Sequence, residues 1–420
     1  MVSTALRLLA VSLAIVLLAA VSCTNGEPAP GTLVLGAIYP LSGPQAPGGR
    51  EELGGVQTAL ELARERGLLG SHQLRLEVLS VTTPDEARRA VDRLIDEYHV
   101  PAVIGTYGST LAEAAAARAD QRHVVYWETG AVADSITIGR SYVFRTVATG
   151  STLGRVAADF TSEVLLPASG APPASARVAI VAVNDVYGRS VADAEVARAA
   201  EHGIRVVDRI DYDPRLPDAD AIAERLDADR ADYLWDVSYV DDGIAIWRAV
   251  LARGLNLRAA VGTSSAFCMP EFGQRLRAQA IGVYAADKPD ATDVSPSILQ
   301  GPARDLQAAA VAAYRARSGG QSMTIPAVAG FVGGWTLFHG VLPAVHGPVT
   351  PDALRAAASG LDEPRYSGIN GGGVRFAPAG APDAGQNLLA PAVVGQWQAV
   401  NTMRVVYPQP FAQASPLQAR

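Results

Sequence analysis

The clearest candidate for chemistry in the 420-residue sequence is the stretch Gly105-Thr106-Tyr107-Gly108-Ser109-Thr110. An apolar run ends just before it, and a helical pattern, Leu111 to Gln121, follows it. A strand that leads into a helix in this way offers backbone N–H groups and hydroxyls to an anion. The alternative is that Ser109 and Thr110 only cap the helix. We predict an anion-holding corner at this turn.

Five further predicted strand ends carry aromatic, hydroxyl, glycine or acidic residues. Ligands of open parallel sheets lie outside the carboxyl ends of the strands, so we expect these residues to surround one small polar molecule. The candidate ligand-binding residues are Tyr107, Ser109, Thr110, Glu128, Gly130, Ala131, Val132, Tyr187, Asp236, Tyr239 and Ser264. Packing at a strand end is the alternative for Tyr187 and Tyr239, and a buried, hydrogen-bonded turn is the alternative for Asp236.

The sequence lacks the patterns typical of catalysis or metal binding. The glycine-rich run 43–49 has no lysine and hydroxyl pair of a phosphate loop, and the segment 262–266 has no final glycine of a nucleophile elbow. The six histidines are scattered without metal-ligand spacing. A formal net charge of −7 argues against a nucleic-acid partner. We predict no catalytic residue, no metal and no cofactor, and we assign no function to Lys288, the only lysine.

The N-terminal segment has the features of an export signal. Residues 1–22 contain one early charge, Arg7, and an apolar stretch too short for a confident spanning helix. The segment ends Ala20-Val21-Ser22-Cys23, which is similar to a bacterial lipobox. We predict a signal peptide, lipidation of Cys23 and a flexible tether over 23–31, with an ordinary secretory signal as the alternative. Cys268 is then a buried apolar filler without a disulfide partner.

Apolar strand patterns alternate with helical patterns along most of the chain. The alternation begins at Leu33 and restarts after about Gly150. Such alternation indicates parallel sheets covered by helices on both faces. At this length we predict an α/β protein with two doubly wound parallel-sheet lobes. Two short antiparallel strands, at 371–376 and 393–406, are predicted near the end.

Several short motifs, in this order behind an export signal, carry a family resemblance. The chain resembles the branched-chain amino acid (leucine/isoleucine/valine) binding proteins of ABC transporters, which are type I periplasmic binding proteins. The motifs are Pro40-Leu41-Ser42-Gly43-Pro44, Thr83-Pro84-Asp85-Glu86-Ala87, Val103-Ile104-Gly105 with Ser109, Tyr142-Val143-Phe144-Arg145-Thr146 and Asp185-Val186-Tyr187-Gly188.

The resemblance implies two lobes joined by a three-strand hinge. The first lobe would span 32–148 plus 288–365 and the second 149–287 plus 366–408, with 409–420 as a tail. Ser109 and the turn Gly130 to Val132 would hold a ligand carboxylate, and Tyr187 and Tyr239 would contribute from the second lobe. Ser264 stands where the family has an acid for the ligand ammonium, and Val132 stands where it has a threonine. Either Glu128 or Asp236 supplies the missing charge, or the ligand is not an ordinary α-amino acid.

The resemblance also implies the function. We expect an extracytoplasmic solute-binding protein of an ABC importer, lipid-anchored to the cell membrane or else periplasmic or secreted. It would be a monomer that binds an amino acid, amide, urea-type or carboxylate compound and delivers it to a membrane permease. A sensor module without transport is the alternative, and a secreted α/β hydrolase is the alternative from another class.

Overall fold

The computed structural model describes residues 31–70, 73–290 and 294–417. The predicted signal peptide, Cys23 and the tether as far as residue 30 lie outside these ranges. One sheet of five parallel strands forms the centre of the first lobe, in the order β2-β1-β3-β4-β5. Its strands are β1 (Thr32–Tyr39), β2 (Gln73–Ser80), β3 (Ala102–Ile104), β4 (Val125–Glu128) and β5 (Val143–Arg145).

The second lobe is built on a sheet of seven strands. The remaining strands are β6 (Arg177–Val183), β7 (Arg205–Tyr212), β8 (Tyr233–Val237), β9 (Ala259–Thr263), β10 (Tyr284–Asp287), β11 (Asp362–Glu363), β12 (Val374–Arg375), β13 (Val393–Ala399) and β14 (Thr402–Tyr407). The order is β14-β13-β10-β9-β8-β6-β7, in which β13 and β14 are antiparallel additions to a parallel sheet. Strands β11 and β12 form a separate small pair. The predicted α/β fold with two parallel-sheet lobes is confirmed.

Helices cover both faces of the sheets. They are α1 (Ala46–Glu65), α2 (Pro84–Tyr98), α3 (Ser109–Gln121), α4 (Gly150–Phe160), α5 (Leu166–Ser169), α6 (Val186–Glu201), α7 (Ala219–Ala228), α8 (Val240–Arg253), α9 (Pro270–Leu276), α10 (Gly301–Arg317), α11 (Ile325–Trp335) and α12 (Pro351–Ser359). Local sequence determines where several of these helices begin. Thr83 and Glu86, for example, form a capping box in which each side chain accepts a hydrogen bond from the other's backbone N–H.

We propose that the chain crosses between the lobes after Arg145, after Asp287 and after Phe376, where consecutive segments join different sheets or cores. Helices α10 to α12 pack in the core of the first lobe. Ile369, Val374 and Phe376 pack in the same core, although the predicted limit of this lobe was residue 365. We therefore propose that the first lobe extends to about Phe376, and the other predicted limits stay predictions.

Two glycines allow α1 and α11 to lie in direct backbone contact. A Cβ atom at Gly55 would lie 2.0 Å from the carbonyl oxygen of Ala327, and one at Gly330 would lie 1.9 Å from that of Glu52. This close approach holds Glu52 at the inner end of α1. The segment Ile325–Ala344 is long and apolar enough to cross a membrane, but 83% of its most apolar window is buried inside the protein. We read it as a core helix.

The core of the second lobe encloses two acids. Glu195 and Asp236 are fully buried, and three of their four carboxyl oxygens have no hydrogen-bond partner among the described residues. Burial raises the pKa of each to about 8, and each pKa is raised further by a neighbouring acid. Both side chains are therefore protonated at neutral pH, which removes the cost of an unpaired buried charge.

We expect this pair to make folding depend on pH. Because the folded state holds protons that the unfolded state releases above about pH 4.5, the free energy of unfolding falls as the pH rises from 5 to 8.5. Glu195→Gln should reduce that fall by roughly 1–3 kcal/mol in urea titrations at the two pH values. Glu65→Gln, at an exposed position of α1, is the control and should leave the fall unchanged. An equal fall in Glu195→Gln and the wild type would contradict the prediction.

Candidate functional site

A small closed cavity lies between the lobes, where the carboxyl ends of β3 and β4 face those of β9 and β10. Its free volume is about 20 Å³, which is room for roughly one water molecule. The lining residues are Glu52, Tyr107, Gly108, Ser109, Gly130, Ala131, Val132, Tyr187, Tyr239, Ser264, Ser265, Met269, Asp287, Lys288, Ile325, Pro326 and Ala329. A groove of about 650 Å³ adjoins it and shares Tyr107, Tyr239, Ser265 and Met269. We call the two together the cleft.

Direct contacts hold the two lobes together at the cleft. Tyr107 of the first lobe and Ser265 of the second line the same small cavity, close enough for their hydroxyls to interact. The backbone N–H of Asp134 donates to Ser190 Oγ of α6 at 3.1 Å. These contacts leave little free space between the lobes at this point. We propose that the lobes separate to admit a solute.

Most of the sequence-predicted residues meet at this cavity. The eight that line it are Tyr107, Ser109, Gly130, Ala131, Val132, Tyr187, Tyr239 and Ser264. Thr110 instead lines the outer groove. Glu128 and Asp236 are fully buried and do not belong to the lining of either.

The predicted carboxylate corner has its backbone donors already engaged. Ser109 Oγ accepts hydrogen bonds from the N–H groups of Val132 (3.3 Å) and Ala133 (3.1 Å). Because the Ser109 oxygen is occupied as an acceptor, its O–H hydrogen is the group left to donate into the cavity. The helix-capping alternative for Ser109 is wrong, because no side chain caps α3 and the Ser109 oxygen instead accepts from the turn after β4. Ligand contact through the O–H hydrogen stays a prediction.

The Glu128 carboxylate binds the backbone of the same corner from the side away from the cavity. Its Oε1 accepts from the N–H groups of Gly130 and Ala131, both at 2.7 Å. Its Oε2 accepts from Thr106 N and from the Tyr126 hydroxyl, both at 3.1 Å. Burial raises the pKa of Glu128 to about 7, against the opposing effect of these bonds. Four hydrogen bonds leave this carboxylate no free acceptor for a ligand.

Lys288 is the residue that sequence reasoning most clearly missed. It follows β10, it is buried, and its Nζ lies 2.8 Å from Asp287 Oδ1 and 3.5 Å from Ser264 Oγ. Asp287 also accepts a hydrogen bond from the Cys268 thiol at 2.9 Å. A cation thus stands beside Ser264, the position where the resemblance implied an acid. The sequence showed that Lys288 is the only lysine. Because strand β10 was not predicted, the sequence analysis did not recognise that Lys288 follows a strand end.

Glu52 is the second missed residue. Its Oε1 accepts from the Thr129 hydroxyl at 2.6 Å, and its Oε2 has no hydrogen-bond partner among the described residues. Burial raises the pKa of Glu52 well above its usual range, the neighbouring Glu128 raises it further, and Thr129 and Lys288 oppose the shift. The available signal was an acid on the apolar face of the helix, one turn before Val56.

Tyrosines form the wall of the cavity on the second lobe. The rings of Tyr187 and Tyr239 lie 5.5 Å apart. The Tyr187 hydroxyl donates to the Thr263 carbonyl oxygen, and the Tyr239 hydroxyl donates to Asp185 Oδ2 at 2.6 Å. With their hydroxyls engaged elsewhere, the two residues present ring surface to a solute. Among the described residues no group of three or more His, Cys, Asp or Glu side chains could hold a metal ion.

Two parallel-sheet lobes that close on a buried polar cavity define the class of hinged solute-binding proteins. A model of the family described as periplasmic binding protein matches residues 32–398. The chain belongs to the periplasmic binding protein family, whose members act outside the cytoplasm.

Curated and structural relatives agree with this assignment. Leu/Ile/Val-binding protein homolog 8 of Brucella melitensis biotype 1 is 27% identical over 395 residues, which cover 93% of this chain and 94% of that protein. The LivJ protein of Streptococcus pneumoniae, solved with isoleucine, superposes with a TM-score of 0.72 at 20% identity over 90% of this chain and all of that one. A solute-binding protein of R. palustris, solved with benzoate, gives 0.73 at 18% identity over 93% and 99%. These relatives are named as binding proteins, not as enzymes.

Removing the Ser109 hydroxyl should destabilise the protein even without a solute. In Ser109→Ala the N–H groups of Val132 and Ala133 lose their acceptor, and we expect a loss of about 1–3 kcal/mol in the free energy of unfolding. Thr110→Ala is the control, since its hydroxyl bonds to no other described residue. Urea titration of both variants in solute-free buffer measures the effect. Unchanged stability of Ser109→Ala would contradict a structural role for the hydroxyl.

Proposed function

We propose that this protein is the extracytoplasmic solute receptor of an ABC importer and that it captures a small organic carboxylate in the cleft. The observation that carries the proposal is the buried ammonium of Lys288, which faces the same small cavity as the Ser109 hydroxyl. One donor comes from the first lobe and the other from the junction between the lobes, so a carboxylate that meets both favours closure.

The contacts of Lys288 leave it able to hold a ligand. An ammonium has three N–H donors, of which Asp287 and Ser264 engage at most two. Asp287 balances its charge in this structure. A ligand carboxylate would add a second anion beside the same cation, within a site where water is excluded and charge–charge attraction is strong.

The other end of the ligand would lie near Glu52 and the tyrosines. We propose Glu52 for the charge that Glu128 or Asp236 was expected to supply, because its Oε2 is unpartnered and lines the cavity. If the ligand is an α-amino acid, Glu52 is ionised beside its ammonium. If the ligand carries a hydroxyl or an aromatic ring instead, Glu52 stays protonated and the ring packs on Tyr187 and Tyr239. The isoleucine and benzoate complexes of the structural relatives represent these two kinds of ligand.

In this proposal, delivery of the solute to the membrane depends on the movement of the lobes about the hinge. Ligand binding shifts the lobes toward the closed form, and we propose that a membrane permease recognises that form. We also propose that Cys23 carries the lipid that keeps the protein at the membrane and that the protein acts as a monomer. Metabolic labelling with a fatty acid, lost in Cys23→Ser, tests the anchor.

A ligand screen tests the proposed function. The purified protein should be stabilised by at least one compound in a thermal-shift panel of amino acids, hydroxy acids, aromatic acids, amides and urea analogues. An excess of about a hundredfold over the dissociation constant contributes roughly 2.7 kcal/mol of stability. The compounds that act should all carry a carboxylate. Stabilisation only by uncharged amides or urea would contradict the carboxylate assignment.

Substitutions of Lys288 test the proposed carboxylate contact more directly than the ligand screen does. Lys288→Met should weaken binding of the identified carboxylate by about 30-fold or more, because a buried charge partner is typically worth at least about 2 kcal/mol. Lys288→Arg should retain part of the affinity, and Arg89→Ala, which removes a cation from an exposed position of α2, should change it less than about twofold. Calorimetry on each variant, after its melting curve has shown that it is folded, measures the effect. Equal affinity of Lys288→Met and wild type would remove Lys288 from the site.

Proton release distinguishes the two kinds of ligand. Burial raises the pKa of Glu52 well above its usual range, which favours the protonated side chain. An ammonium ligand favours the ionised form; binding then releases that proton and strengthens as the pH rises. A hydroxy or aromatic acid releases none from Glu52. Calorimetry in two buffers of different ionisation enthalpy counts the protons, and Glu52→Gln should abolish any release.

A further inference from the structure

A second cavity lies on the hinge side of the molecule, apart from the cleft. Its volume is about 490 Å³, within the range of small-molecule sites. We call it the hinge cavity. It is lined by Asp134, Thr137, Ile138, Arg145, Ala148, Thr149, Ser151, Thr152, Arg155, Arg365, Asp383, Gln386, Asn387, Leu388 and Ala390. None of these residues lines the cleft.

Three arginines surround the hinge cavity. Arg145, the buried arginine of the described residues, is fully enclosed at its floor, and Arg155 and Arg365 are exposed. Within the described chain, no carboxylate oxygen lies within 4 Å of any of the three guanidinium groups. A buried cation without an ion pair is unfavourable unless hydrogen bonds or an anion offset it.

The hydrogen bonds of Arg145 are all to neutral groups. Its Nε donates to Gln386 Oε1 at 2.6 Å, its Nη1 donates to the Ala133 carbonyl oxygen, and its Nη2 lies 3.5 Å from Thr137 Oγ1. These bonds fix the guanidinium but do not cancel its charge. Burial lowers the pKa of Arg145 to about 10, so the group is still charged at neutral pH.

Two acids also line the cavity and set the net charge. Asp134 Oδ1 accepts from the backbone N–H of Ser151 at 3.1 Å, at the start of α4. Asp134, Glu128 and Asp383 attract Arg145, each from a distance greater than that of an ion pair, and Glu128 does so from outside the lining. Among the residues that line the hinge cavity, three guanidinium groups stand against two carboxylates.

Two exposed apolar side chains also line the same cavity. Ile138 and Leu388 are large hydrophobic side chains that remain 52% and 48% exposed. Exposed apolar side chains beside an unneutralised charge suit an amphipathic partner better than a bare ion.

We propose that the hinge cavity is a second binding site, which takes a small organic anion: its oxyanion group meets Arg155 and Arg365 above the Arg145 floor, and its apolar part lies on Ile138 and Leu388. Guanidinium groups bind carboxylate and phosphate oxygens in pairs, so both kinds of oxyanion fit. The inference does not depend on the identity of the cleft solute.

The position of the site couples it to the motion of the lobes. Asp134 and Ile138 belong to the first lobe, Ser151 and Arg155 belong to α4 of the second, and the crossover after Arg145 runs between them. The shape of the cavity therefore depends on the angle between the lobes. An anion that binds one arrangement better shifts the opening equilibrium, and the cleft solute changes the affinity for the anion by the same factor.

Phenyl phosphate is a suitable probe, with inorganic phosphate as the bare-ion comparison. Calorimetry on the purified protein should show phenyl phosphate binding at least threefold more tightly than inorganic phosphate. The double variant Arg155→Ala/Arg365→Ala should weaken phenyl phosphate by at least tenfold. The matched control Arg89→Ala/Arg315→Ala removes the same charge from exposed positions of α2 and α10 and should retain the affinity.

Two further variants locate the probe. Leu388→Ser should weaken phenyl phosphate but not inorganic phosphate, and Lys288→Met, in the cleft, should leave both unchanged. The proposal fails if phenyl phosphate does not bind, or if it binds no more tightly than inorganic phosphate. It also fails if both double variants lose affinity equally, which would indicate charge alone, or if Lys288→Met loses it, which would place the probe in the cleft.

Discussion

A buried carboxylate needs donors, and the arrangement of the cleft follows from how Glu128 obtains four of them. Its two oxygens hold the turn after β4 and the N–H of Thr106 after β3, so two strand ends are fixed relative to each other. Ser109 then completes the turn by accepting from the next two N–H groups. The polar side chains that line the cavity then include those of Ser109, Glu52 and Lys288; Lys288 is paired with Asp287, and Glu52 Oε2 has no partner among the described residues. Under the proposed function, these side chains determine which solute binds.

The sequence was sufficient for the architecture because periodicity and strand-end chemistry are local signals. Each of these signals can be recognised within about ten residues: the alternation of strands and helices, the capping residue Thr83, and the turn between β3 and α3 that ends at Ser109. The charges of the cleft could not be placed in this way. Glu52 reaches the cavity only because Gly55 and Gly330 let α1 approach α11, a contact between segments more than 250 residues apart. Lys288 reaches it only because β10 adds to the second sheet beside β9.

The same limit explains the position of Glu128 and Asp236. Both stand at strand ends, as predicted, but side chains at successive positions of a strand point to opposite sides. Glu128 turns behind the cavity, and Asp236 lies in the core of the second lobe with Glu195. A strand end shows that a residue is near the ligand edge of a sheet. Which neighbouring acid faces the solute depends on pairings between segments far apart in the chain.

Because Lys288 is the only lysine, the protein has a single side-chain amine, and the structure buries it at the junction of the lobes. Acylating reagents that modify side-chain amines can therefore react at one position only. Under the proposed opening of the lobes, the rate of that modification, measured by mass spectrometry without an engineered label, would report how often the lobes separate. A solute that favours the closed arrangement would lower that rate, whatever its chemical identity.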